Sequence, residues 1–146
     1  PLGLTDSFLG IGLAEVALFL RFGVYWMQTH FTSVPRELVE SGRIDGASDS
    51  RILGSLLLPI SWPAITTLCV LVFMWAWNQF LLVLVMMQDP SKWTAPAGLG
   101  FFVGQYTTNI PLLSAASLIV IAPIVAMYLV FQRNFVSGIT EGSVKG

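Results

Sequence analysis

A few polar side chains sit inside long apolar runs of this sequence, and their chemistry needs a partner. Glu15 lies within LGIGLAEVALFLRF, and Asn78 and Gln79 interrupt a run that carries no formal charge from Ala64 to Met87. A carboxylate near the centre of a bilayer costs at least ~2.5 kcal/mol unless it faces protein or water. Amides without partners are also unfavourable in lipid. Glu15 is therefore expected to face a bundle interior, and Asn78 and Gln79 a neighbouring helix or a wet cavity. For Glu15 two readings stand: a contact on a solute or water pathway, and a structural group hydrogen-bonded to a neighbouring helix. Asn78 and Gln79 lie beside Trp75 and Trp77, a pairing that suits carbohydrate, because sugar faces stack on rings while hydroxyls pair with amides. The competing reading is that the amides hold helices together.

Other reactive residue types do not assemble into a site. His30 is the one histidine, and it has no cysteine or carboxylate at metal-ligand spacing, so it reads as an interfacial residue and no metal site is expected. Cys69 stands alone in an apolar run and makes no internal disulfide. Gly142-Ser143-Val144-Lys145 lacks the spacing of a phosphate-binding loop. The serines do not form a GxSxG elbow. Glu37 and Glu40 fit a solvated charged face. These residues point to a conduit without catalytic residues, driven by an energy source on another subunit.

The elements that must position these residues are membrane spans. The chain has 146 residues, of which 55% are hydrophobic and 10% charged, against roughly 25% charged in soluble domains. A net charge of −1 leaves no basic surface for nucleic acid. A helix needs ~20 apolar residues to cross a ~30 Å core, and three stretches qualify, at about 4–26, 64–87 and 112–131. In the first, Asp6 or Ser7 is placed to cap the start, Arg21 to snorkel near the far end, and Tyr25 and Trp26 to lie at the interface. In the third, Ser114 to Ser117 form a small-residue face, and Pro123 is expected to kink the helix. Between the last two spans, residues 88–111 hold three prolines and three glycines. They read as a loop opening on an Asp89-Pro90 turn, with a short helix through Gly98 to Tyr106.

Most of the charge is gathered in residues 35–58. Ser33 and Pro35 read as a helix start, a hydroxyl cap followed by a proline whose missing N–H costs nothing in the first turn. Leu38, Val39 and Ile44 alternate with Arg36, Glu37, Glu40 and Arg43 as a short amphipathic helix. Asp45-Gly46 breaks it, and Asp45 or Ser48 is placed to cap a second helix. That helix pairs Ile52 with Leu56 and Leu53 with Leu57, and it is predicted to stop at Leu58-Pro59. The unit is thus a helix, a sharp turn and a helix.

Glu40, Gly46 and Leu58-Pro59 stand at the spacing of the EAA loop of ABC importer permeases, which this stretch resembles. The string Arg43-Ile44-Asp45-Gly46-Ala47 is similar to the form found in the sugar-importing branch, with Ser41 and Gly42 where two alanines are usual. Trp77-Asn78-Gln79-Phe80-Leu81 resembles the WNEF-type segment of sugar permeases, with Gln79 where a glutamate is common. Residues 132–146 are similar to the C-terminal signature of the same branch at Gln132, Arg133, Phe135, Val136, Gly138, Thr140, Gly142, Val144, Lys145 and Gly146.

The resemblance implies an all-α membrane protein. This chain would supply three transmembrane helices of a core of about six, as the C-terminal part of one permease domain whose N-terminal helices are not in it. It implies that residues 35–58 are a cytoplasmic coupling loop docking on an ATP-binding subunit through Glu40, Asp45, Gly46, Ala47, Leu58 and Pro59. It implies an extracytoplasmic loop at 88–111 and a cytoplasmic tail at 132–146. Glu15, Trp77, Asn78 and Gln79 are then candidates for the substrate pathway. The implied partners are two ATP-binding subunits, a homologous second permease, an extracytoplasmic solute-binding protein and the lipid of a prokaryotic inner membrane. ATP and magnesium are handled by those partner subunits, and no cofactor is expected on this chain. A sugar or oligosaccharide is the expected solute. An amino acid, peptide or phosphonate is the alternative within the family, and a secondary transporter or a membrane scaffold lies outside it.

Charge sets the expected orientation. With the loop inside, Arg36, Arg43, Arg51, Arg133 and Lys145 are cytoplasmic, Arg21 lies at the inner boundary, and Lys92 is outside, as the positive-inside rule requires. The spans then run inward, outward and inward, from Pro1 outside to Gly146 inside.

Overall fold

The computed structural model describes residues 4–104 and 108–143, with residues 133–143 described by their backbone. Among them the chain is helical, and the one strand-like feature is an antiparallel bridge between Val103 and Thr108. It divides into two compact units, Pro1–Phe19 with Leu71–Val130 and Leu20–Val70 with Phe131–Gly146.

Helix α1 covers Phe8–Ser33, beginning later and ending later than the expected span. It cannot begin at Asp6, whose backbone is left-handed at φ 60°. The Asp6 side chain does not cap the helix but accepts hydrogen bonds from Asp89 N–H and Lys92 Nζ. At the other end no proline intervenes before Pro35, so the helix runs past Trp26. Thr29, Thr32 and Ser33 donate their hydroxyls to the carbonyls of Tyr25, Thr29 and His30 within the last turns. Ser33 therefore closes α1 and does not cap the next helix. Pro35, extended at ψ 132°, is itself the residue that opens α2, Arg36–Ile44. The helix α1 stops there because a residue preceding proline avoids the helical conformation. Arg21 consequently falls near the middle of α1.

After α2 come α3 (Asp49–Ile52), a π-helical turn (Leu53–Leu57) and α4 (Leu58–Ile60), running on without a break. The expected stop at Leu58-Pro59 is absent because the backbone widens there: Leu58 N–H reaches five residues back, to the Leu53 carbonyl. In an ordinary α-turn the Pro59 ring would crowd the carbonyl of Ser55, and the wider turn relieves that clash. The widening also displaces the expected leucine pairs. Ile52 is buried, whereas Leu53 is exposed. At Ser61 the axis bends by 72° into α5, Trp62–Trp77.

Helix α5 has 16 residues, about 24 Å at 1.5 Å per residue, short of a ~30 Å hydrocarbon core. The continuous span expected over 64–87 is interrupted at Asn78–Phe80 and resumes as α6, Leu81–Met86. At the break, Asn78 N–H and Nδ2 both donate to the Met74 carbonyl, at 3.2 and 2.8 Å, and Gln79 N–H turns to the Ala76 carbonyl three residues back, which closes the helix.

Beyond α6, the side chain of Asp89 accepts from Ser91 N–H, making the expected turn at Asp89-Pro90. In place of one helix from Gly98 to Tyr106 there are α7 (Ala95–Gly98) and a 3-10 turn (Leu99–Phe102), then the Val103–Thr108 bridge. Tyr106 lies outside the described residues. The core of this unit is Ile11, Val83, Met87 and Ala97, with Leu82, Met86 and Trp93 packed against it.

Helix α8 spans Ile110–Ser143 and passes through Pro123. Its backbone stays helical across the start of the expected tail. Val144, Lys145 and Gly146 of the C-terminal signature lie outside the described residues, as do the side chains from Arg133 onward. Helix α1 and the Ile110–Gln132 part of α8 are each long and apolar enough to cross a membrane, and the bent pair around Ser61 makes a third if counted as one span. Only 11% and 6% of the most apolar stretches of α1 and α8 are buried, which leaves their greasy faces open to lipid or to other helices.

Candidate functional site

Residues 35–60 are organised around the turn between α2 and α3. Gly46 takes φ +77°, a left-handed conformation that glycine adopts without a Cβ clash. Ala47 N–H then donates to Gly42 O and Gly46 N–H to Arg43 O, each at 3.0 Å. This is a Schellman motif, and it satisfies carbonyls that the end of α2 would otherwise leave open. Across the turn, the Arg43 guanidinium places two N–H groups on one Asp49 oxygen, at 3.1 and 3.3 Å. Both side chains are mostly exposed, so the pair guides orientation more than it stabilises.

The two helices meet at Gly42. A Cβ built there would lie 3.1 Å from Ile52 Cγ1, and Ile52 is 4% exposed. Glycine at 42 thus lets α3 close on α2 where an alanine would press on Ile52. This is a physical reason for one of the two departures from the usual EAA string. Ser41 has its own local bond, donating to the Leu38 carbonyl at 3.0 Å.

What the unit presents outward is mixed. Glu40 and Asp45 are exposed, and Ala47 is half-buried. Ile44 is 86% exposed although it belongs to the apolar set of α2, and Leu58 is also exposed, beside Pro59. Leu38 and Val39 are half-buried. The apolar set of α2 is therefore split, with Ile44 standing outward near Glu40 and Asp45 at the turn. An apolar side chain so exposed among acids suits a protein partner with an apolar hollow and basic groups.

The second set of candidates gathers around the break in α5. Trp77 does not offer its indole N–H to a solute, because it donates to the Val120 carbonyl of α8 at 3.0 Å, one turn before Pro123. Its ring stacks on Phe73 at 5.8 Å. Trp77 therefore joins α5 to α8. Asn78 is exposed and Gln79 half-buried, and among the described residues neither amide is tied to another helix. Glu15 is half-buried on α1 and makes no ion pair among the described residues. Phe19 of α1 stacks on Trp75 of α5 at 5.9 Å. Non-helical backbone at membrane depth is tolerated where it is buried in protein or lines a wet cavity, and the non-helical stretch Asn78–Phe80 has Asn78 and Phe80 exposed.

Two long-range contacts could not be placed from the sequence. Trp26 reads as an interface aromatic, yet its indole N–H donates to the Ala64 carbonyl. Lys92, read as a lone outside charge, is held by Asp6, 86 positions away. For Trp26 a signal existed, since a partly buried indole N–H usually finds an acceptor, though the acceptor itself could not be chosen. Among the described residues no group of three or more His, Cys, Asp or Glu is placed to hold a metal.

The chain matches, over residues 3–141, the family described as binding-protein-dependent transport system inner membrane component. It is 36% identical to the trehalose/maltose transport system permease protein of Thermococcus litoralis, across 99% of this chain and 52% of that protein. It is 31% identical to the trehalose transport system permease protein of Mycobacterium tuberculosis, across 99% and 54%. It is 36% identical to an osmoprotective compounds uptake permease protein of Synechocystis, across 99% and 49%. The chain spans about half the length of the curated relatives it matches.

Proposed function

Because the chain belongs to the family of binding-protein-dependent transport system inner membrane components, we propose that it is part of a permease subunit importing a sugar or oligosaccharide with energy from ATP. The observation that carries this reading is the Pro35–Ile60 unit. A Schellman turn and the Gly42–Ile52 contact make it stiff, and Glu40, Asp45 and Ile44 make its surface fit for a partner. Two ATP-binding subunits would grip it, one on this permease and one on a homologous second permease. Closure of the ATPase pair would move α2, and the spans would reorient between inward and outward access. Glu40 would meet a basic group of the ATPase cleft, while Gly46 sets the angle between α2 and α3. Leu58 and Pro59 would extend the docking surface beyond Asp45 and Ala47. ATP and its magnesium would be held by the partners, and a solute-binding protein would deliver the sugar from outside.

On the solute side, Asn78 and Gln79 would line the pathway with hydroxyl-pairing amides. Trp77 would hold the break in place through α8, and Glu15 would face the same interior. Carbohydrate as the solute is supported by the WNQF segment and by the names of the trehalose and maltose relatives. The Synechocystis relative, named for osmoprotective compounds, keeps another small polar solute as the second reading.

The test uses the full-length permease with its partners in proteoliposomes. Wild type should take up labelled sugar only with ATP and the binding protein. Glu40→Ala should cut uptake by about tenfold or more, the effect of removing one partner of a buried charge pair, through lost ATPase binding or lost coupling. Normal uptake together with a normal ATPase pull-down in that variant would remove the docking role of Glu40. Uptake of an amino acid or peptide in preference to any sugar would replace the solute.

A further inference from the structure

The bend at Ser61 is where the coupling unit hands over to a membrane span, and the first turn of α5 beyond it is tied down carbonyl by carbonyl. Thr66 Oγ1 donates to Trp62 O at 2.8 Å, and Thr67 Oγ1 to Pro63 O at 2.9 Å. The next carbonyl in line, Ala64 O, accepts the indole N–H of Trp26 from α1 at 3.0 Å. Ser61, Ala64, Thr66 and Thr67 are all buried. Main-chain hydrogen bonds continue across the bend, from Ser61 N–H to Leu57 O and from Ile65 N–H to Ser61 O. Close by, Gly23 of α1 faces Leu68, whose Cδ2 would be in ordinary contact, 3.8 Å, with a Cβ at position 23.

We propose that Trp26 is a positioning residue for energy coupling, whose indole N–H, bonded to the Ala64 carbonyl, fixes the joint at Ser61 so that the coupling unit turns α1 and α5 together. The inference rests on the ATP-driven reading above. Its logic is mechanical. A 72° bend transmits a push only if the arm beyond it cannot pivot or fray. The threonine bonds to Trp62 O and Pro63 O stop the first turn of α5 from fraying. Trp26 supplies a tie to a second helix, which resists pivoting. Trp62 makes an instructive contrast, because it sits on the same turn yet its side chain is 66% exposed.

In the assembled transporter, uptake per ATP hydrolysed is the readout, because a variant that merely folds poorly lowers both rates and leaves their ratio alone. Trp26→Phe should lower the ratio by about tenfold, the order that one lost hydrogen bond supports, while ATP hydrolysis persists. Trp62→Phe, the same exchange on an exposed ring, should leave the ratio at the wild-type value. If Trp26→Phe fails to assemble, a benzothiophene analogue of tryptophan at position 26 keeps the ring shape and removes only the N–H, and the same fall is expected. A wild-type ratio in the analogue-bearing protein, or an equal fall at both positions, overturns the proposal. Wild-type transporter that hydrolyses ATP without importing any solute overturns the functional reading instead, and the inference goes with it.

Discussion

Glycine has two different tasks in the Pro35–Ile60 unit, and the residues around each show which. Gly46 is there for its backbone, since φ +77° is strained for any residue with a Cβ. Gly42 is there for space, because its backbone is helical and Ile52 fills the volume where a methyl would be. Alanine in a helix is worth about 1 kcal/mol over glycine, so Gly42→Ala should be stabilising unless Ile52 resists. We expect hydrogen exchange at the α2 amides to show little gain from Gly42→Ala alone. In an Ile52→Ala background the gain should grow by about 1 kcal/mol, the signature of residues in contact. Strict additivity would mean that Ile52 yields without cost. The turn at Gly46 was legible in the sequence because a glycine after an amphipathic run is a local signal. The Gly42–Ile52 contact was not, because it depends on how sharply that turn folds α3 back.

Among the elements, helix ends were the hardest to read, and the reasons differ from one end to the next. Composition placed the end of the first span near Trp26, but hydroxyls that bond back to the helix carried α1 on to Ser33. Pro59 promised a stop, and a π-turn absorbed it. Asn78 and Gln79 stood out as polar intruders, while the backbone break at their position was hidden in a run of high average hydropathy. The link from the start of α1 to the segment after α6 had no local trace at all. There Asp6 N–H donates to Met86 O, and Lys92 Nζ donates to both the carbonyl and the carboxylate of Asp6. The Lys92 bond, and then Asp89 N–H, hold the Asp6 carboxyl below the usual carboxylate range, while the Asp6 bond holds the Lys92 ammonium above the usual amine range. For Asp6, a depressed value means stabilisation that is full above the ordinary carboxylate pKa and lost as pH falls through the lower folded value. For Lys92, a raised value means stabilisation that is full below the ordinary amine pKa and lost as pH rises through the higher folded value. Hydrogen-exchange protection of Asp89–Trp93 should therefore be level between about pH 5 and about pH 9 and fall only beyond the ordinary values of ~3.9 and ~10.4. Lys92→Met should lower the plateau, remove the alkaline step and shrink the acid step, the remainder belonging to the Asp89 N–H bond to Asp6 and to the Ser91 bonds that hold Asp89 low. A midpoint near neutrality would assign the change to another group.

For the molecule as a whole, the question is what drives it, and the distribution of charge between membrane and loop gives the argument. A secondary transporter couples to an ion gradient through ionisable groups that converge within the bilayer. Here α5, α6 and the Ile110–Gln132 part of α8 contain no Asp, Glu, Lys or Arg, so Glu15 and Arg21 of α1 are the formal charges of the spanning elements. The charges of Arg36–Arg51, by contrast, are held on a unit with an exposed surface. On the proposed reading, a chain so arranged would receive its work from outside the membrane, through that unit and across the joint at Ser61. In proteoliposomes carrying the full-length permease and its partners, uptake should stop when ATP is removed and persist when a protonophore is added at constant ATP. Glu15→Gln keeps shape and hydrogen bonding while removing the charge, and it should hold uptake within about threefold of wild type, since a neutral amide meets the same neighbours without the cost of a buried ion. Loss of uptake on adding the protonophore, together with a collapse in Glu15→Gln, would move the energy source from the loop to Glu15 and return the chain to the secondary-transporter class.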